Sequence, residues 1–262
     1  MRRIVIALVV ALITATAQAD LSSYETTISN SAPTLWYKNA NTKSGEHINN
    51  SGSAGALPTT YQAYRLGGAL YSDLWGNANM AFGPTNATAP AIANSTGLFT
   101  TGAQGTVSFL FKTPDTMPAA IQTLFSQGTT FAIKLNTNGA IRIDHANSGT
   151  KYSNTVTAAT GTWYYVAMKW DTTKTSNDLT WYVGAANGSL QSGNLTIASA
   201  GENTSIGLDG LKAPMQEIAI WGSELSNASI QSQFSQIPEP ATIGMIGLGG
   251  LAVIILRRMR NR

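Results

Sequence analysis

The chain contains no cysteine and only two histidines among its 262 residues. Without thiols, cysteine nucleophiles, thiolate metal sites and disulfides are excluded. His47 lies in a polar stretch. His145 follows Asp144 in a predicted strand, and neighbouring side chains of a strand point to opposite faces. The two side chains are therefore not placed to hydrogen-bond each other. A zinc site or a histidine-based catalytic centre is therefore disfavoured. The chain also lacks a glycine-rich phosphate loop between a strand and a helix.

Charged residues are scarce as well, at 11% of the chain against about 25% in an average domain. The net charge of +3 comes from the two ends, which hold six of the sixteen basic residues. Residues 20–236 keep ten basic and twelve acidic residues, a net charge near −2. The basic isoelectric point therefore gives no reason to expect nucleic acid as a partner.

The first nineteen residues have the three parts of a secretory signal peptide. Arg2 and Arg3 precede an apolar run over residues 4–13, and Ala17 and Ala19 form an A-x-A cleavage pattern. The apolar run is too short for a membrane anchor. We expect the Sec export machinery to translocate the chain and a peptidase to cleave it after Ala19.

The C-terminal end combines a proline-rich tripeptide, an apolar segment and a basic tail. The sixteen uncharged residues 241–256 would span about 24 Å as a helix, somewhat less than a hydrocarbon core of about 30 Å. Local thinning of the bilayer can cover that deficit. The tail would stay cytoplasmic because of its four arginines, Arg257, Arg258, Arg260 and Arg262.

This ordered set of features resembles the PEP-CTERM sorting signal of Gram-negative bacteria, with Pro238, Glu239 and Pro240 as the motif. The resemblance implies a membrane-embedded exosortase that reads the tripeptide and releases or transfers the protein to the cell surface. Two prolines keep such a tripeptide extended and free of helix. The resemblance also implies that residues 237–262 form a sorting tag with a short transmembrane helix. This helix would hold the protein at the inner membrane only transiently. The alternative is a plain linker before a permanent single-pass anchor.

Between the two targeting segments, strand patterns dominate. "TVSFLFK" and "TFAIKL" alternate apolar and polar residues, so each is predicted to bury one face. Asn138-Gly139 predicts a hairpin between "TFAIKL" and "AIRID". Further strands are predicted over residues 33–38, 162–170, 179–183, 195–197, 204–208 and 215–221. One short helix is predicted in "LSNASIQSQF", with Ser226 as its N-cap and Leu225 and Ile230 as a hydrophobic staple.

Many short strands with one late helical turn predict an all-β fold, an antiparallel sandwich or jelly roll over residues 20–236. The serial phrases "TWYYVAMKWD", "TSIGLDG" and "MQEIAIWGSELSNASI" resemble laminin-G-like domains of the concanavalin A-like lectin and glucanase fold. That resemblance covers roughly residues 66–234. It implies a sandwich whose relatives include both sugar-binding modules and glycosidases.

The glycosidase possibility is tested on the strand that begins with Met215. Laminarinase-type relatives carry E-x-D-x-E or E-x-D-x-x-E there, because alternate positions place the nucleophile and the acid on one face. Glu217 matches the first acid, but Ala219 stands at the position of the aspartate, and Trp221 and Gly222 stand where the second glutamate is needed. A non-enzymatic protein is therefore favoured, and a divergent glycoside hydrolase stays as an alternative.

Binding is the better hypothesis, with two sets of candidate residues. Asp171, Asp178 and Asp209 offer oxygen ligands for a rim calcium of the kind found in laminin-G-like domains, although acidic residues also simply suit turns. Among the six tryptophans, Trp75 in "YSDLWGNANM" is expected to be the exposed sugar-stacking platform.

Taken together, these features predict an exported protein of the cell surface or extracellular matrix that binds or packs into exopolysaccharide. The family link between PEP-CTERM signals and exopolysaccharide production supports that choice of partner. A structural or adhesive component that contacts proteins and no glycan is the alternative from another class.

Overall fold

The computed structural model is a sandwich of two antiparallel sheets, each of eight strands. It describes residues 21–38, 47–48, 50–53, 63–64, 68–71, 73–76, 81–84, 91–92, 104–127, 131–145, 151–186, 188–196, 206–207 and 214–238. All strand pairings within these ranges are antiparallel. The predicted all-β antiparallel sandwich is confirmed.

Sheet A follows the order β14-β13-β12-β7-β16-β5-β4, and β1 also pairs with β16. Its strands are β1 (Leu35–Tyr37), β4 (Gly68–Tyr71), β5 (Ala81–Pro84), β7 (Gln104–Lys112), β12 (Trp163–Asp171), β13 (Leu179–Ala185), β14 (Gln191–Leu195) and β16 (Met215–Trp221).

Sheet B follows the order β11-β10-β9-β8-β15-β6-β3-β2. Its strands are β2 (His47–Ile48), β3 (Ala63–Tyr64), β6 (Ala91–Ile92), β8 (Gln122–Gln127), β9 (Phe131–Leu135), β10 (Ala140–His145), β11 (Lys151–Thr157) and β15 (Ile206–Gly207).

The predicted hairpin joins β9 to β10. Asn136 and Gly139 close the turn with an N–H to O bond of 3.0 Å, and Ala140 donates to the Asn138 side chain. Gly139 has φ of +82°, while Asn138 does not adopt a positive φ. The loop is therefore a type I turn followed by a left-handed glycine, since only the second residue of the Asn-Gly pair needs left-handed backbone.

A large apolar core lies between the sheets. Sheet A contributes alternate residues of β7 and β12 and three residues of β16, and sheet B contributes two residues of β8 and alternate residues of β9 and β10. Phe109 of β7 stacks against Phe125 of β8, with their ring centroids 6.4 Å apart. This contact between sheets fixes which residues of each strand point outward.

Sheet A also buries its outer face, which the sequence did not predict. Two helices cover it: α1 (Leu21–Asn30) and α2 (Asn227–Ser235). Tyr24 and Ile28 of α1 and Ile230 of α2 join a second apolar cluster with outward residues of β7, β12, β13 and β16. The prediction that "TVSFLFK" buries only one face is therefore wrong, because Thr106, Ser108 and Leu110 lie beneath this cover.

Helix α2 confirms the predicted N-cap, since Ser226 Oγ accepts from the N–H of Ser229 at 3.0 Å. Helix α1 was missed, because "LSSYETTISN" has few strong helix formers and no acidic or basic end signals. The strand predicted at residues 195–197 begins earlier in the chain. It is β14, Gln191–Leu195, and it pairs with residues 179–183 of β13.

Candidate functional site

The outer face of sheet B carries a cluster of charged side chains. Ile133, Leu135, Ile141 and Ile143 point into the core, so the alternate residues of β9 and β10 point outward. Lys134 lies opposite Arg142 in the pairing of these strands, and Asp144 lies opposite Ala132. Lys134, Arg142 and Asp144 are named here the charged cluster of sheet B.

The three side chains bind one another. Arg142 donates to Asp144 in bidentate fashion, from Nε to Oδ1 and from Nη2 to Oδ2, the second at 2.9 Å. Lys134 Nζ lies 2.7 Å from Asp144 Oδ2. Although burial alone would raise it, the pKa of Asp144 is lowered by the hydrogen bonds from Arg142 and Lys134. The cluster therefore carries two positive charges against one negative charge at neutral pH.

This cluster is partly open to solvent. The side chains of Lys134, Arg142 and Asp144 are 29%, 17% and 14% exposed. Ammonium has three N–H donors, so the contact of Lys134 to Asp144 leaves donors of Lys134 for an external ligand. Charged donors beside a small, partly exposed residue such as Ala132 can bond hydroxyl and carboxylate groups of a ligand.

Glu217 occupies the opposite kind of environment, on the covered face of sheet A. The register between β16 and β7 shifts between Gln216 and Ala219, so a β-bulge places two residues of β16 opposite one of β7. Glu217 lies in that bulge with φ of +54°, a conformation that costs a residue with a side chain roughly 1–2 kcal/mol. Its carboxyl is almost fully buried, at 1% exposure.

Burial raises the pKa of Glu217 well above its usual value, and the hydrogen bond from Trp36 Nε1 to Oε2, at 2.9 Å, opposes this only in part. The carboxyl of Glu217 therefore keeps its proton to a higher pH than an ordinary glutamate does. Its neighbours include Glu25, Lys38 and Asp73, which act on it electrostatically. Lys38 pairs with Glu25 at 3.1 Å and lies 5.1 Å from the centroid of the Trp36 ring.

Trp75 packs against helix α1 and does not form an exposed platform. Its ring packs against Tyr24 of α1 at a centroid distance of 5.4 Å, and it borders the second apolar cluster. The side chain is partly buried, and its Nε1 is buried without a hydrogen-bond partner. The exposure expected of Trp75 is therefore corrected: the "DLWG" loop is held against sheet A by a bond from the Leu74 N–H to Gln216 Oε1 at 3.1 Å.

Two of the three candidate calcium ligands lie at the ends of one turn, and Asp209 lies outside the described residues. Asp171 accepts bonds from the hydroxyl and the N–H of Thr173, at 2.6 and 3.0 Å, and from Gln104 at 3.1 Å. The Thr173 hydroxyl is the main cause of its lowered pKa. Asp178 is buried and its backbone carbonyl accepts from Asp171. Within the described ranges no three His, Asp or Glu residues group as metal ligands, and calcium binding stays a prediction.

The targeting residues lie mostly outside the described part of the chain. Pro238 ends the described residues and is partly buried. The structure does not describe the cleavage residues Ala17 and Ala19, the rest of the motif, Glu239 and Pro240, or the arginines Arg257, Arg258, Arg260 and Arg262. Neither helix in the described residues has the length and apolar character that a membrane span needs, and the predicted transmembrane segment falls beyond them.

The charged cluster of sheet B was not predicted, although its signal was present. Arg142 and Asp144 alternate with isoleucines in "AIRID", which places both on one outward face. Asp144 had been considered only as a neighbour of His145. That histidine is the last residue of β10, opposite Lys151 of β11.

Comparison with known families identifies both parts of the chain. Residues 84–231 match a laminin G family profile described as the concanavalin A-like lectin/glucanases superfamily, and residues 236–260 match the PEP-CTERM protein-sorting motif. No curated protein sequence matches the chain significantly.

Solved structures share the fold at low sequence identity. The Trypanosoma rangeli sialidase in complex with the inhibitor DANA is 10% identical, with a TM-score of 0.54 over 76% of this chain and 32% of the sialidase. The binding domain of botulinum neurotoxin DC in complex with SialylT is 11% identical, with a TM-score of 0.55 over 79% of this chain and 52% of that one. This chain thus spans about a third to a half of the structures it resembles.

The antiparallel two-sheet sandwich therefore agrees with the concanavalin A-like family match. The motif places the protein among exported proteins of the cell surface or extracellular space. The chain belongs to the concanavalin A-like lectin/glucanase superfamily and carries a PEP-CTERM sorting motif at its C-terminal end.

Proposed function

We propose that this protein is a non-enzymatic component of the bacterial cell surface or matrix that binds exopolysaccharide through the outer face of sheet B. The observation that carries the proposal is the charged cluster of Lys134, Arg142 and Asp144. Its donors are fixed by mutual ion pairs and stay partly exposed. Preorganised donors lose little conformational freedom when a flexible polysaccharide binds.

The carboxyl groups support binding over hydrolysis. Most glycosidases use two carboxyl groups about 5–9.5 Å apart, flanking one glycosidic bond. Glu217 is enclosed beneath α1 and bonded to Trp36, whereas Asp144 is neutralised by two cations on the other sheet. Because packed sheets lie about 10 Å apart, acids on their two outer faces do not reach one bond. A divergent glycoside hydrolase would need two carboxyl groups from other parts of the chain.

Sorting is the second part of the proposal. The Sec machinery exports the chain, a peptidase removes residues 1–19, and the apolar tail holds the protein at the inner membrane until an exosortase-type enzyme acts at Pro238–Pro240. Mass spectrometry of protein from the native cell surface tests this, with an N-terminus at Asp20 and a C-terminus near Pro238 expected. A C-terminus at Arg262 in the membrane fraction would instead indicate a permanent anchor.

The solved neighbours do not decide between glycan and protein partners. Their complexes include sialic acid for the sialidase and both SialylT and rat synaptotagmin II for the neurotoxin binding domain. Since these likenesses establish the fold alone, binding must be measured on this chain.

The binding test uses residues 20–236 and the host's own extracellular polysaccharide, with a glycan array beside it. We expect the double variant Lys134→Gln/Arg142→Gln to lose at least about tenfold in affinity, a loss typical of removing two charged hydrogen-bond donors. Lys112→Gln, at the end of β7 in sheet A, is the matched control and should bind normally. Equal binding by the wild type, the double variant and the control would reject the outer face of sheet B as the binding site. Absence of any glycan binding would favour the adhesive role, in which the protein contacts other proteins.

Hydrolysis is tested on the same polysaccharide by release of reducing ends. We expect none above a boiled-protein blank. Release that is abolished in Glu217→Gln would overturn the non-enzymatic proposal, and release that survives this change would move the search to other carboxyl groups.

A further inference from the structure

The helix that precedes the sorting motif is firmly docked on sheet A. At its start, Asn227 Oδ1 accepts bonds from Lys169 Nζ at 2.8 Å and from Tyr182 OH at 2.7 Å. Lys169 also pairs with Glu224 at 3.0 Å. Together with the Ser226 cap, these contacts anchor the beginning of α2 to β12 and β13.

The end of α2 is held even closer to the sheet. Gln233 is fully buried, and its Oε1 accepts from Tyr165 OH of β12 at 2.7 Å. The ring of Phe234 packs on Tyr165 at a centroid distance of 5.9 Å and lies over Gly184 of β13. A Cβ at position 184 would stand 2.4 Å from Phe234 Cε2. The Phe234 ring can pack here because residue 184 is a glycine.

The docked structure continues to the residue before the motif. Gln236 donates to the Gln233 carbonyl at 3.2 Å, and Ile237 donates to the Phe234 carbonyl at 3.0 Å. The Ile237 side chain is buried at 7% exposure and belongs to the second apolar cluster. Pro238 follows at once, so no free linker separates the folded domain from the sorting tripeptide.

This lack of a linker matters to any peptidase. Proteolytic enzymes bind their substrates as extended segments and cleave folded proteins through transiently opened states. Residues 233–237 are helical or capped and hydrogen-bonded, and all of them except Ser235 are partly or fully buried. They are therefore not available as an extended segment on the N-terminal side of Pro238 while α2 stays docked.

We propose that docking of the last turn of α2 on Tyr165 and Gly184 controls removal of the sorting tag. The exosortase-type enzyme engages the tripeptide when Gln233–Ile237 leave the sheet, so the folded domain slows its own release from the membrane. The proposal rests on the sorting function proposed above. It adds that the domain and its tag are coupled through one short helix.

The main test leaves the domain unchanged and adds a flexible Gly-Ser linker of about six residues between Ile237 and Pro238, which reaches roughly 13 Å. The full chain is expressed in the native host, and the ratio of tail-free to full-length protein is followed by pulse–chase. We expect tail removal to be at least about threefold faster with the linker, because cleavage no longer waits for opening. An unchanged or slower rate would overturn the proposal.

A second test loosens the docking without lengthening the chain. In Gly184→Ala the new methyl group displaces Phe234, and tail removal should again be faster. Gln231→Ala, on the exposed side of the same helix, is the matched control and should be processed at the normal rate. If Gly184→Ala fails to fold, the linker insertion still decides the question.

The outcomes separate this proposal from the sorting function. Tail removal at equal rates in all variants would retain sorting and reject control by α2. A tail that is never removed from the wild-type protein or from the linker variant would reject both.

Discussion

The two sheets of this sandwich share one core, but their outer faces differ in exposure to solvent. Sheet A is covered by α1 and α2, and its central strands β7, β12 and β16 are buried on both faces. Sheet B alternates buried residues with partly exposed ones along β9 and β10. The covered face carries α2, which leads into the sorting motif, and the partly exposed face of sheet B is the one that we propose binds a ligand.

The two faces also hold their carboxyl groups differently. Glu217 under α1 has a raised pKa because of burial, whereas Asp144 on the open face has a lowered pKa because of Arg142 and Lys134. A buried acid with a raised pKa in a strained bulge serves packing, and a paired, partly exposed acid positions cations. A shifted pKa therefore marks a binding site only where solvent and ligand can reach it.

The largest effect is expected from placing a charge on each face. Ala167 of β12 is fully buried beneath the helices, and Ala132 of β9 is partly exposed. Ala167→Lys should destabilise the domain by more than about 3 kcal/mol, because it buries an unpaired charge. Ala132→Lys, opposite Asp144, should change stability by less than about 1 kcal/mol.

Urea unfolding of the two variants beside the wild type measures this difference. Similar losses in both would mean that the outer face of sheet B is as enclosed as that of sheet A, and the contrast between the faces would be lost.

Glu217 provides the second test, through pH. An acid with a raised pKa in the folded state keeps its proton while the unfolded chain loses it, so stability falls as pH rises above about 4.5. Glu217→Gln removes this cost. Its stability relative to wild type should therefore improve with rising pH, by up to about 1.4 kcal/mol per pH unit until the pKa of the folded state is reached.

The measurement is urea unfolding of both proteins from pH 4 to pH 8. A difference that stays constant across this range would show that Glu217 is ionised in the folded protein, contrary to its enclosed position.

The smallest effect is expected at Asp144, and it has the opposite sign. A carboxyl with a lowered pKa stabilises the fold above the pKa of the unfolded chain, about 3.9, and this contribution is lost as pH falls through the pKa of the folded state. Asp144→Asn should cost roughly 1 kcal/mol at pH 7 and less than that at pH 2. Equal costs at both pH values would show that the ion pairs contribute nothing.

Sequence patterns predicted the parts of the fold that alternation and capping control. The Asn138-Gly139 hairpin, the strand over "MQEIAIW" and the Ser226 cap all follow from contacts within a few residues. Helix α1 was missed because its stability comes from Tyr24 and Ile28 packing on distant strands, and the local sequence carries little helical preference.

The candidate site was predicted less well for a related reason. Trp75 was placed on the surface by its polar neighbours, but α1 supplies Tyr24 as a packing partner from fifty residues away in the chain. The charged cluster of sheet B needs the register of β9 and β10, which brings Lys134 beside Arg142 and Asp144. Contacts between strands, more than residue types, decide which face is open.

Hydrogen exchange measured by mass spectrometry, with and without the host's extracellular polysaccharide, tests the central claim most directly. We expect the polysaccharide to slow exchange in residues 131–145, which form β9 and β10, and to leave residues 21–30 and 227–235 unchanged. Protection confined to those two helices, or no protection anywhere in the domain, would contradict a binding face on sheet B.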